Sequence, residues 1–105
     1  MTGHVLVVTT TDSQDEAQMI ARHLIEQRLA ACVQVQGPVE SVYWWKEEIE
    51  TAREWQCIAK SRQDLFASIE SAIRKIHSYD VPEILAFPIV EGSGPYLAWM
   101  KDQLK

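Results

Sequence analysis

The feature that most constrains the fold is a pair of helix-type apolar repeats, each lying between strand-type segments. Residues 17–25 repeat apolar side chains at helical spacing, and Ser13 with Glu16 before them predicts a capping box. A second apolar stripe covers residues 65–76, and Ser61 is predicted to cap its helix. Pro82 restricts the residue before it to extended conformations, so the helix ends within residues 77–82. These alternating patterns predict a mixed α and β domain.

Four strand-type segments surround these helices, at residues 4–10, about 30–44, about 49–60 and 83–90. Gly37 and Pro38 predict a bulge or bend in the second segment, and Pro88 predicts an edge position or a bulge in the fourth. Pro95 opens a final helix. The order β-α-β-β-α-β with an added C-terminal helix predicts the α+β class: a ferredoxin-like antiparallel sheet, as one domain over residues 1–105.

Composition excludes several function classes. The net charge is −5 and the ten Lys and Arg residues are scattered, so we expect no nucleic-acid partner. The longest apolar runs, residues 5–8 and 84–89, are too short to span a bilayer, so we expect no membrane partner. There is no signal-peptide pattern, and Cys32 and Cys57 have no CxxC spacing. We therefore expect a cytoplasmic protein with reduced thiols.

The strands are apolar on both faces, although the two helices of this topology cover only one face. Residues 5–8 and 84–87 are continuous apolar runs rather than alternating ones. An exposed apolar face of this kind is an aggregation hazard unless another surface covers it. Self-association is the economical explanation, and the alternative is that the final helix folds back over this face within one chain.

An ordered set of motifs along nearly the whole chain resembles the CutA divalent-cation-tolerance family. The set comprises residues 29–33 (LAACV), 41–45 (SVYWW), Lys60, 77–84 (HSYDVPEI), 88–89 (PI) and 96–99 (YLAW). The resemblance implies a compact homotrimer in which the second and third strands reach across to neighbouring subunits. It also implies kinship with trimeric PII-type signalling proteins and a link to tolerance of copper and other divalent cations.

Two departures from the family pattern concern metal binding and the hairpin. The bacterial relative described as binding copper has a cysteine on its first strand, where this chain has Thr9 or Thr10. The family hairpin often has a glycine at the position of Glu47. The resemblance therefore implies no required cofactor, with copper(II) or another divalent cation as the suggested ligand.

His77, Asp80 and Glu83 are the candidate metal ligands, because they match the family's His-Pro-Tyr-x-x-Pro-Glu stretch with Ser78 in place of a proline. Imidazole and carboxylate groups suit copper(II) or zinc. The alternative is structural: His77 would complement the C-terminal dipole of a helix, and Glu83 would pair with a neighbouring subunit.

The aromatic run Tyr43, Trp44 and Trp45 has two interpretations. It could anchor a subunit interface or form a platform on which a ligand stacks, and interface anchoring is favoured by the self-association argument. Lys60 and Glu54 are expected to form an ordered pair near a cleft between subunits. Cys32 and Cys57 are expected to pack as small apolar side chains.

The leading function is therefore a non-enzymatic homotrimer of divalent metal homeostasis that binds cations weakly. The alternative is a PII-like small-molecule sensor with ligand pockets between subunits, although no glycine-rich phosphate loop is present. An acylphosphatase-like hydrolase is disfavoured because residues 9–12 (TTTD) lack glycine and arginine and end in an acid. An RNA-recognition module is disfavoured because residues 54–60 lack the paired aromatics that stack on bases.

Overall fold

The computed structural model describes residues 1–105 and confirms the predicted order of elements. These are β1 (His4–Thr11), α1 (Gln14–Glu26), β2 (Cys32–Trp45), β3 (Glu48–Arg62), α2 (Phe66–Ile76), β4 (Ile84–Pro88) and α3 (Gly94–Gln103). One turn of 3₁₀ helix, Gln63–Leu65, leads into α2. None of the helices combines the length and the apolarity that a bilayer span requires.

The sheet has the predicted ferredoxin-like topology. Its four strands lie in the order β2-β3-β1-β4, and every neighbouring pair is antiparallel. β3 is the longest strand and pairs with β2 between Glu48 and Lys60, and its C-terminal half also pairs with β1. β4 is an edge strand, where Pro88 costs no hydrogen bond on its free side.

The core lies between one face of the sheet and the two main helices. Alternate residues of β1, including Val5 and Val7, are buried there together with Cys57 and Ala59 of β3. The apolar stripes of α1 and α2 close the core from the other side, with Ile20, Leu24, Ile69 and Ile73 at most 1% exposed. Both helices therefore pack on the same face of the sheet.

The opposite face of the sheet, here called the open face, carries Leu6, Val8, Ile58, Leu85 and Phe87, which the strand register places on one side. Helix α3 approaches this face where the Tyr96 hydroxyl lies 3.3 Å from Nζ of Lys60. Leu85 and Phe87 remain 50% and 48% exposed. Folding back of the final helix therefore covers only part of the open face.

The predicted cap of the second helix is wrong. Ser61 belongs to β3, where it pairs with Val5 and is fully buried. Its hydroxyl donates to the carbonyl of Leu29 at 2.6 Å. Helix α2 instead begins after Leu65 without a side-chain cap. Pairing with a distant strand satisfies the backbone of Ser61, and this outweighs its local preference for a helix terminus.

Of two local predictions in the first half of the chain, the capping box is confirmed in part and the bulge is confirmed. The Oγ of Ser13 accepts a hydrogen bond from the backbone N–H of Glu16 at 3.0 Å, which confirms half of the capping box. The carboxylate of Glu16, however, accepts from the hydroxyl of Ser78 at 3.2 Å rather than returning to Ser13. The bulge at Gly37 and Pro38 is confirmed by a shift in register between Gln36 and Val39.

The β2–β3 hairpin projects from the body of the protein and makes its longest dimension 45 Å. Its turn consists of Lys46 and Glu47, whose φ angles of 50° and 67° are those of a two-residue hairpin turn with two left-handed positions. Glu47 thus adopts the conformation that a glycine would favour at this position. We call residues 39–54 of this hairpin the arm.

Two neighbouring residues of α1 test the position of the core. Ile20 is fully buried, whereas Met19 is 58% exposed. Replacing Ile20 with alanine leaves a cavity and is expected to lower the free energy of unfolding by about 2–5 kcal/mol. Met19→Ala is the matched control and should change it by no more than about 0.5 kcal/mol. Denaturant unfolding at one fixed chain concentration measures both, and equal effects would contradict the assigned core.

Candidate functional site

A cavity of about 430 Å³ lies where the arm meets the end of β1 and the loop that follows α2. Four of its lining residues carry carboxylates and three carry aromatic rings. The lining residues are Thr10, Tyr43, Trp45, Glu50, Glu54, Tyr79, Asp80, Val81 and Glu83. We call this the acidic cavity.

The strand register of the arm decides which of its side chains face the acidic cavity. Tyr43 lies opposite Glu50, and Val39 opposite Glu54, so these residues share one face of the hairpin. Trp44 lies opposite Ile49 on the other face and is 71% exposed. Because side chains alternate along a strand, the aromatic run is divided: Tyr43 and Trp45 line the cavity, and Trp44 points away from it.

His77 anchors the loop that forms the far wall of the acidic cavity. Its Nε2 lies 2.7 Å from the backbone oxygen of Thr10, and its Nδ1 accepts the backbone N–H of Tyr79 at 3.1 Å. Since Nδ1 is an acceptor, Nε2 is the donor, and its N–H donates a hydrogen bond to the backbone oxygen of Thr10. The imidazole side chain has no exposed surface, and Glu16 lies 3.6 Å from Nδ1. Both ring nitrogens of His77 are therefore occupied within the chain.

Tyr79 connects this anchored loop to the arm. Its hydroxyl donates to Oε2 of Glu54 at 2.8 Å, and its ring lies 4.8 Å from the ring of His77. Burial of the hydroxyl, together with its hydrogen bond to Glu54, raises the pKa of Tyr79 well above its usual range. Tyr79 therefore remains a hydrogen-bond donor at physiological pH, and it holds Glu54 in a fixed position.

Negative charge in the acidic cavity has no compensating cation. No Lys, Arg or His nitrogen comes within 4.0 Å of the carboxylates of Glu50, Glu54, Asp80 or Glu83. Partial burial of Glu83 raises its carboxyl pKa above the ordinary value, and the nearby charge of Glu54 raises it further. The cavity therefore favours the arrival of positive charge or of a proton.

The structure brings together only part of the predicted metal set. Asp80 and Glu83 both line the acidic cavity, but His77 presents no free ring nitrogen to it. The chain contains no group of three His, Cys, Asp or Glu residues able to hold one metal ion. His77, Asp80 and Glu83 therefore do not form a three-ligand centre within the single chain, and their part in metal binding stays a prediction.

Contacts within the chain bear on two other predicted features. Within the chain Lys60 does not contact Glu54: its Nζ lies 5.4 Å from the ring centroid of Tyr96, while Glu54 binds Tyr79, so a Lys60–Glu54 pair at a cleft between subunits stays a prediction. Cys57 packs in the core as predicted, and its thiol donates to the backbone oxygen of Ala17 at 3.2 Å. Burial, with a smaller contribution from Glu16, raises the pKa of Cys57 to about 11. Its thiolate is therefore scarce at neutral pH, and Cys57 is a poor metal ligand.

Sequence reasoning missed the arm's contribution to this site. Glu50 was not singled out in the sequence, and Glu54 was considered only as a partner of Lys60, yet both line the cavity and Glu54 is only 6% exposed. Their separation by four residues, which places both on one face of a strand, was an available signal. What the sequence alone could not reveal is that the loop after α2 packs against that same face.

Known proteins share both the sequence pattern and the fold of this chain. The family model of the CutA1 divalent ion tolerance protein matches residues 5–103. The solved structure of a divalent cation tolerance protein (CutA1) from Thermus thermophilus superposes with a TM-score of 0.95 at 34% identity, covering 97% of this chain and 99% of that one. The periplasmic divalent cation tolerance protein CutA of Archaeoglobus fulgidus gives a TM-score of 0.94 at 37% identity, with the same coverage of 97% and 99%.

A plant relative is longer than this chain. The chloroplastic protein CutA 1 of rice (Oryza sativa subsp. japonica) is 35% identical over 101 residues, which are 96% of this chain. This chain spans 57% of the length of that relative. The part shared with that relative is thus nearly the whole of this chain.

Glu83 provides a test of the uncompensated charge. Because its folded-state pKa is raised, ionising Glu83 costs folding free energy at neutral pH, and the cost disappears once the pH falls below the ordinary value of 4.5. Glu83→Gln is therefore expected to melt at a higher temperature than the original chain at neutral pH, and the gain should vanish towards pH 4.5. Glu40→Gln, on the opposite face of the arm, is the control. A variant less stable at neutral pH would contradict this assignment.

Proposed function

The chain belongs to the CutA1 divalent ion tolerance protein family, and from that premise we propose that it is a non-enzymatic homotrimer of divalent metal homeostasis that binds divalent cations weakly. The observation that carries this proposal is the acidic cavity, whose four carboxylates have no compensating cation in the chain. Such a cavity concentrates cations because their approach relieves repulsion among the carboxylates.

Weak rather than tight metal binding follows from the arrangement of the donors. Since no three of them converge, a bound ion would keep most of its hydrating water and contact one or two carboxylates, with Asp80 and Glu83 as the proposed ligands. Among first-row divalent ions, copper(II) binds a given set of donors most tightly, so copper(II) is the expected preference. Copper(I) is disfavoured because it needs soft ligands and Cys57 is buried and protonated.

The open face and the arm support self-association. Leu85 and Phe87 remain about half exposed on the sheet, and Trp44 and Ile49 are 71% and 64% exposed on the arm. Leu85 and Phe87 lie on the open face, whereas Trp44 and Ile49 lie on the opposite face of the hairpin, so each face leaves apolar side chains that contacts between subunits would cover. The size of the assembly, a trimer, comes from the family resemblance.

A small-molecule sensor is the second candidate, and the aromatic wall of the cavity is the observation that favours it. Tyr43 and Trp45 flank a space large enough for a small organic ligand rather than a bare ion. The carboxylates disfavour the phosphate-bearing ligands of a PII-like sensor, because like charges repel.

A cytoplasmic location is part of the proposal, supported by two free cysteines and no disulfide. The relatives are named for other compartments: the rice protein is chloroplastic and the Archaeoglobus protein periplasmic.

The assembly is tested by mass. Light scattering on the purified chain at micromolar concentration is expected to give three times the chain mass of 12.0 kDa, independent of dilution. Trp44→Ala removes an exposed anchor from the arm and should make the trimer dissociate at higher concentration than before. Met19→Ala, also exposed but on α1, is the control. A monomer mass at every dilution would remove the trimer from the proposal.

Cation binding is tested by calorimetric titration with copper(II), zinc(II) and magnesium(II). We expect weak binding in which copper(II) is strongest, and Glu83→Gln should lower the copper(II) affinity roughly tenfold, as loss of one charged ligand does. Glu40→Gln should bind as the original chain does. His77→Ala tests the histidine: unchanged copper(II) affinity in a folded variant would show that His77 positions the loop and is not a ligand.

A further inference from the structure

We propose that the acidic cavity holds a small organic cation bearing N–H donors, an ammonium or guanidinium group, more tightly than it holds a metal ion. This inference rests on the proposed function in one respect, since both place a cation in the same cavity. It adds the chemical class of the preferred ligand.

The first supporting observation is the state of Glu54. The residue is only 6% exposed, and Tyr79 is the one protein group that donates to its carboxylate, through Oε2. Its other oxygen has no protein donor and is not among the fully enclosed unpaired atoms of the chain, so it opens on the cavity that Glu54 lines. A largely buried carboxylate with one oxygen that has no protein donor is costly, and a charged N–H donor would relieve that cost.

The second observation is the aromatic wall. The rings of Tyr43 and Trp45 line the cavity beside the carboxylates, and the faces of aromatic rings attract cations. The Nζ of Lys46 lies 5.9 Å from the Trp45 centroid, so this ring already receives an ammonium group of the chain itself. Lys46 comes within 4.0 Å of none of the cavity carboxylates, which leaves their charge available to a ligand.

Size and donor spacing distinguish an organic cation from a metal ion. A bare ion needs several oxygens that converge on one point, and no three candidate donors do so here. Glu50 and Glu54 are four residues apart on β3, which corresponds to about 13 Å along a strand. A molecular cation with an apolar stem can contact a carboxylate with its charged end and an aromatic ring with its stem, within the 430 Å³ available.

The other residues at the cavity do not weaken this assignment. Thr10 and Val81 are uncharged, and Asp80 and Glu83 add negative charge on the wall opposite the arm. Anionic ligands are therefore repelled, and a neutral donor gains a weaker hydrogen bond from the carboxylates than a charged N–H donor does.

The test uses the assembled protein and four probes: butylammonium, butylguanidinium, tetramethylammonium and butan-1-ol. Binding is followed by NMR through the indole N–H signal of Trp45, which Trp45→Phe identifies. Both N–H cations are expected to shift this signal with saturation, and at least tenfold more tightly than the neutral alcohol. Tetramethylammonium, a cation without N–H donors, should bind more weakly than butylammonium.

Variants locate the binding. Glu54→Gln keeps the shape of the side chain and its acceptor for Tyr79, and it should weaken butylammonium binding roughly tenfold, as loss of a charged hydrogen-bond partner does. Glu40→Gln, on the opposite face of the arm, should leave binding unchanged. If Glu54→Gln fails to fold, Glu50→Gln and Glu83→Gln carry the test, since both residues are exposed and line the cavity.

Alcohol binding equal to that of butylammonium, or affinity for butylammonium unchanged in the cavity variants, would overturn the inference. So would equal affinity for tetramethylammonium, because N–H donation would then be irrelevant. The copper(II) titration separates the two proposals. Copper(II) binding without ammonium binding would leave the proposed function and remove this inference. Ammonium binding without any divalent cation binding would do the reverse.

Discussion

Pairing of β3 with β1 on one side and β2 on the other is the constraint on which the remaining structure depends. This one strand presents Cys57 and Ala59 to the core and carries Glu50 and Glu54 on the face of the acidic cavity. A slip by one residue would exchange the two faces and bury charge in the core, so burial of the apolar set holds the register in place. The positions of Glu50 and Glu54 in the cavity are therefore fixed by the packing of the core residues on the same strand.

A second constraint joins the cavity wall to this frame. The His77 ring bridges the end of β1 and the backbone of Tyr79, and Tyr79 in turn holds Glu54. These buried hydrogen bonds connect three segments that are distant in sequence, and each satisfies a polar group that burial would otherwise leave unpaired. His77, the residue that most suggests metal chemistry in the sequence, thus has a positioning role in this structure.

The function proposed here follows from charge that the chain does not neutralise. Natural proteins seldom retain a buried carboxylate without a cation unless something else compensates for it. In the acidic cavity the compensation is incomplete, because Tyr79 satisfies one oxygen of Glu54 and no basic side chain reaches the other carboxylates. A divalent ion or an organic cation is the natural complement. The aromatic rings beside the carboxylates favour the organic one.

The sequence by itself determined the order of elements, the ferredoxin-like topology and the apolar excess on the second face of the sheet. Helical and strand periodicity are set by local backbone geometry, so they can be recognised in the sequence without knowledge of distant contacts. A prediction from local signals was wrong where a distant segment contributes a contact: Ser61 was predicted to cap a helix, but it pairs with β1 as part of β3. The ordered motifs also identified the family, because they extend over nearly the whole chain.

Only the tertiary structure decided what the polar residues do. Asp80 and Glu83 were recognisable as candidates, but their partners Glu50 and Glu54 come from the arm, and folding alone brings the two walls together. In the folded chain both ring nitrogens of His77 also have hydrogen-bond partners, and the side chain of Trp44 lies on the opposite face of the arm from Tyr43 and Trp45. Hydrogen-bond partners and pKa values depend on which distant groups share a buried space, and that is a property of packing rather than of sequence pattern.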